Sequence, residues 1–148
     1  MRALLKEAQS SLQDVSLKTN AYYALVNDRE NAFADVKPLA SKIVFTLKAL
    51  AMSEATLDDA RFHLRIISGR TKSQRQAVPS TEADQQPVVA RSRTQQSFTA
   101  IADHFAQLVN MVTNLPGYVT NEEELKPEQL AVKAALLKTK NDEVSKAR

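Results

Sequence analysis

Cysteine and tryptophan are absent from this 148-residue chain, and it has only two glycines, Gly69 and Gly117. Without cysteine there are no disulfides, thiolate nucleophiles, zinc knuckles or iron–sulfur clusters. Average glycine usage is about 7%, and glycine supplies the positive φ angles of tight turns. Two glycines therefore mean few turns and long helices, and they leave no glycine-rich loop to cradle a phosphate. P-loop and Rossmann readings are excluded on that ground.

Long apolar runs are also missing. No segment approaches the ~18 apolar residues a membrane helix needs. The opening Met1-Arg2-Ala3-Leu4-Leu5-Lys6-Glu7 meets a charge too soon for the apolar region of a signal peptide, so a cytoplasmic location is expected. Histidine is scarce: His63 and His104 are the only two. A carboxylate-bridged di-iron bundle uses Glu-x-x-His pairs, but Ala60 and Ile101 stand three residues before the two histidines. No nucleophile–base signature selects any of the serines or threonines. The chain is expected to be a non-enzyme with no cofactor, metal ligand or catalytic residue.

What is present is helical periodicity. Leu5, Ala8, Leu12, Val15, Thr19, Tyr22, Val26, Arg29, Phe33, Val36, Ala40, Ile43, Leu47 and Leu50 fall on one alternating three-and-four spacing. A seven-residue repeat held this long is the pattern of a coiled-coil seam or a long bundle helix. It predicts a helix over about 3–51, spanning ~70 Å at 1.5 Å per residue. Thr19 and Arg29 are the polar members, and Arg29 is expected to carry its charge past the seam into water. Its alternative role is a buried residue that sets the register or pairs with a partner. Pro38 interrupts the segment, because proline inside a helix removes a hydrogen bond. The repeat keeps its phase across Pro38, which favours a kink. A break is the alternative, with Asp35 capping a new helix.

Ser53 or Thr56 is suited to cap a second helix over about 54–68, with Leu57, Ala60, Leu64 and Ile67 as its buried stripe. Gly69 ends it as a left-handed cap. From about 70 to 92 periodicity disappears, and the segment reads as a disordered polar linker. Residues 69–94 carry five basic and two acidic side chains, an excess equal to the net charge of +3 of the whole chain. Arg70, Lys72, Arg75, Arg91 and Arg93 are thus the candidates for phosphate contact, in a segment whose diluted charge gives weak, salt-sensitive binding.

A third helix is predicted over about 93–115, with Phe98, Ile101, Phe105, Leu108, Val112 and Leu115 on its stripe and Leu115-Pro116-Gly117 as its stop. A fourth is predicted over about 122–146, with Asn121 as cap and Glu124 at the reciprocal position. Leu130, Ala134, Leu137 and Val144 mark its buried face. The segment from Phe33 to Leu50 aligns without gaps on that from Phe98 to Leu115, which suggests two copies of one helical hairpin.

Several stretches carry a resemblance. They are Thr19-Asn20-Ala21-Tyr22-Tyr23 through Ala32-Phe33, Lys37-Pro38-Leu39-Ala40, Gln95-Gln96-Ser97-Phe98, Asn121 to Leu125, and Leu137-Lys138-Thr139-Lys140-Asn141. In this order they resemble a group of uncharacterised helical proteins of Bacteroidetes bacteria. The resemblance implies no activity, cofactor or site residue.

These readings converge on an all-α fold: four helices as two hairpins, in an antiparallel bundle or extended coiled coil. The first helix is longer than its partners, so its N-terminal half is expected to keep an uncovered apolar seam. Leu5, Leu12, Val15, Tyr22, Tyr23 and Val26 are its candidate contact residues. The leading expectation is an interaction or scaffold protein that self-associates or binds a partner helix. The alternatives are a nucleic-acid-associated module acting through the linker cations and an enzyme whose site has no sequence signature.

Overall fold

A computed structural model describes residues 1–69 and 97–148 of the chain. The fold is all-α. In chain order, α1 is Arg2–Phe33, α2 is Val36–Ala49, α3 is Glu54–Ser68, α4 is Phe98–Thr113 and α5 is Pro127–Lys146. A short 3-10 turn, Glu123–Leu125, precedes α5.

Together α1 and α2 fill the span of the first predicted helix, and Pro38 settles where they part. Proline has no N–H for the carbonyl of Ala34, so the helical ladder lapses there. Helix α1 ends at Phe33, and α2 resumes at Val36 with Pro38 in its donor-free first turn. Ala34 and Asp35 stay in the right-handed helical region. This is a break of the ladder where the unbroken phase of the repeat favoured a kink. Asp35 occupies the cap position without making a side-chain capping bond. Its carboxylate pairs instead with Lys133 at 2.6 Å, so tertiary contact displaces the local cap.

The α2–α3 connection turns on an alanine. Ala51 has φ +53°, its N–H donates to Lys48 O, and Met52 N–H donates to Leu47 O. This is the paired closure of a Schellman end, with alanine where glycine is usual. Ser53 then caps α3, its hydroxyl accepting from Thr56 N–H at 3.3 Å and lying 2.8 Å from the Thr56 hydroxyl. Gly69 closes α3 at φ +70°, the expected left-handed cap. Ser97 caps α4 by accepting from Ala100 N–H at 3.1 Å. Among the described residues α4 therefore begins later than the predicted start near 93.

The fourth predicted helix also starts later than its expected cap. Asn121 does not cap α5; the chain forms the 3-10 turn, and α5 opens at Pro127 with Lys126 before it. Glu124, expected as the reciprocal capping residue, bonds Lys42 of α2. Glu123 pairs with Lys126 at 2.7 Å. Tyr118 donates its hydroxyl to Leu125 O at 3.0 Å and fastens the loop to the turn. Burial, with the nearby Glu122 charge second, pushes the Tyr118 phenol up from its ordinary value.

Helix α5 runs antiparallel to α1, because Lys140 approaches Asp28 and Lys133 approaches Asp35. It is antiparallel to α4 as well, where Asn141 donates to Thr99 at 2.9 Å. Helix α3 packs on both α2 and α4. The stripes read from the sequence meet in one core that includes Ile43, Leu47, Phe105, Leu108, Leu130 and Leu137, all fully buried. Of the predicted α4 stripe, Phe105, Leu108 and Val112 are buried and Phe98, Ile101 and Leu115 half-buried, while Ala102 and Val109 outside it are also inside, because α4 is covered by α3 on one side and α5 on the other.

Candidate interaction surface on the first helix

The sequence makes α1 long, and the tertiary structure covers only its C-terminal part. From Met1 to Ala21 every residue is exposed, and burial begins at Tyr22. The apolar seam therefore has two different surroundings. Leu5, Leu12 and Val15 are 62%, 70% and 60% exposed. Tyr22 and Val26 are half-buried where α1 begins to run along α5, so this chain covers that part of the expected seam itself. Tyr23 points outward beside Tyr22, their ring centroids 6.1 Å apart.

Polar members of the seam are neutralised in different ways. Thr19 donates its hydroxyl to Val15 O at 2.7 Å, which satisfies it within its own helix. Arg29 is half-buried with its guanidinium carbon 4.1 Å from the Phe98 ring centroid. Its Nε is buried without a hydrogen-bond partner among the described residues. Arg29 thus packs against α4 within the chain, where the sequence placed its charge in water.

Sequence reasoning missed two members of the free surface. Leu4 and Leu17 are both exposed but lie off the seven-residue stripe. Their signal was composition: leucine standing beside, and opposite, a stripe already assigned. Single exposed apolar residues are ordinary, but several on one unpartnered helix mark a contact surface.

Other features are weaker candidates. A pocket of about 270 Å³ lies among Phe33, Val36, Ile67, Phe98 and Ile101. That is below the ~300–1,000 Å³ of ordinary small-molecule sites. Among the described residues no group of three or more His, Cys, Asp or Glu side chains is placed to hold a metal ion. No described helix is long and apolar enough to cross a membrane. The predicted linker and its cations Arg70, Lys72, Arg75, Arg91 and Arg93 lie outside the described residues.

Comparison with known proteins finds no matching family model, curated protein or solved structure.

Proposed function

We propose that this chain is a helical interaction protein that self-associates through the free half of α1. The observation that carries this reading is the apolar stripe at Leu5, Leu12 and Val15 standing clear of the bundle. Helices in proteins gain most of their stability from packing an apolar face rather than from intrinsic propensity. A second helix supplies that packing.

An antiparallel second copy fits the residues. With the crossing centred near Ser10, Leu5 meets Val15 of the partner subunit, and Leu12 meets Ala8 of the partner subunit. Leu12 then faces a small residue while Leu5 faces the branched Val15, so the layers interdigitate as packed helices favour. Lys18 falls beside Leu4 of the partner subunit, so the flanking positions bring no like charges together. Antiparallel pairing also keeps the two bundles at opposite ends of a free segment ~30 Å long, at 1.5 Å per residue.

Light-scattering mass on the full chain tests the reading. The expected result is a dimer at micromolar concentration that becomes a monomer in the Leu12→Lys, Val15→Lys double variant. A wild-type monomer, or a double variant with unchanged mass, overturns it.

A further inference from the structure

The two histidines, which lie in no sequence motif, meet. His63 lies on α3 and His104 on α4, and their Nδ1 atoms stand 3.0 Å apart with the rings tilted by 46°. Both are half-buried, so the pair is open to solvent on one side. We propose that His63 and His104 form a two-histidine site for a borderline divalent transition ion, each binding through Nδ1, with water in the remaining positions.

Two observations support it. Bonds of ~2.0–2.1 Å from imidazole nitrogen to a metal place neighbouring nitrogens ~2.9 Å apart at the right angle of an octahedral or square-planar site and ~3.3–3.4 Å apart at the tetrahedral angle of zinc. The two Nδ1 atoms share a hydrogen bond of 3.0 Å, a length close to both values, so exchanging its proton for the ion requires the rings to turn and not the helices to move. Second, Phe62 presents an edge-on ring to both imidazoles, with centroids 5.4 Å from His63 and 6.1 Å from His104. It walls one side of the pair and limits how far the rings swing.

The donor chemistry sets the ion class. Two imidazoles and water suit zinc, nickel or copper over magnesium or calcium, which prefer oxygen. Among the described residues no third protein ligand is placed beside the pair. Binding is therefore modest in strength and leaves open positions. Such an ion ties α3 to α4 across the two halves of the chain, which stabilises the folded state by mass action.

The full chain, stripped with chelator, would be titrated with Zn²⁺ by calorimetry and with Ni²⁺ by NMR. The chain has no other histidine and no cysteine, so ring signals from only two residues need to be followed. One Zn²⁺ per chain is expected, with binding weakened at least tenfold in His63→Gln and in His104→Gln. The paramagnetic Ni²⁺ should broaden both ring systems together. Equal Zn²⁺ binding by wild type and the double glutamine variant overturns the site. Broadening of one ring without the other also overturns it, and this wild-type readout stands even where a variant fails to fold.

Discussion

The guanidinium of Arg29 stacks on the ring of Phe98 at 4.1 Å and joins the end of α1 to the first residue of α4. Phe98 in turn meets Phe33 edge-to-face at 4.9 Å. A charge thus sits at an apolar position of the seam with its stem packed and its planar head against an aromatic face. A cation over an aromatic ring contributes about 0.5–1 kcal/mol at exposed sites. The buried, unpartnered Nε of Arg29 works against that gain.

Replacement by methionine keeps the stem and removes the unpaired donor. Arg29→Met should lie within about 1 kcal/mol of wild type or above it, whereas Arg29→Ala loses packing and should cost roughly 1–2 kcal/mol. Urea unfolding separates the two. Equal losses in both variants would show that the charge on the ring outweighs the packing.

Backbone strain should act with opposite sign at two turns. Ala51 sits at φ +53°, where a side chain costs roughly 1–2 kcal/mol, so Ala51→Gly should stabilise the bundle by up to about 1 kcal/mol. Gly117 sits at φ +89°, and an added Cβ would meet only Met52 Cε at 3.7 Å, an ordinary contact. Gly117→Ala should therefore lose about 1–2 kcal/mol from the backbone alone. Thermal melts of both variants check the signs.

At the core, Phe105 is fully buried on the central helix α4. Phe105→Ala leaves a cavity between helices and should cost about 3–5 kcal/mol. The shift of the urea midpoint at constant slope is the measurement; a loss under about 1 kcal/mol would place Phe105 outside the cooperative core.

Acid should weaken the α3–α4 contact. Burial, then His104, hold the folded-state pKa of His63 below its ordinary 6.5. The unfolded chain binds that proton more readily, so this contribution is full above pH ~6.5 and is lost as the pH falls below it. Melting temperature in chelator should drop between about pH 7 and 5, and less steeply in His104→Gln. A flat profile in both proteins would contradict the depressed pKa.

The free half of α1 should be dispensable for the bundle. Residues 1–20 bury no side chain against it. Deleting them should leave the melting temperature of the monomer unchanged within about 1–2 °C, because stability follows buried contact. A larger loss, measured at a concentration where the full chain is also monomeric, would reveal contacts to that segment.

Much of this was legible in the chain itself. In the expected stripes Leu57, Ala60, Ile67, Leu130, Leu137 and Val144 are buried, and Leu64 and Ala134 are half-buried against the same core. Gly69 ends α3 where a left-handed cap was expected. Local capping is expected at Asn121 and Glu124, and at Asp35 in the alternative of a break, but Asp35 and Glu124 are held by lysines distant in sequence. The turn at Ala51 was hidden because alanine carries no signal for positive φ. Arg29 was assigned to water because its aromatic partner lies on another helix.

The sequence alone determined that the chain is helical, where its apolar faces lie, and that α1 outruns its partners. Those properties come from local spacing and from residues that start or stop a helix, so they are written within a few turns of chain. Only the tertiary structure decided that α4 is covered on two sides, that Lys42 reaches Glu124, and that His63 meets His104. These contacts join groups far apart along the chain. They depend on which apolar face packs against which, and periodicity gives each helix a face without naming its neighbour.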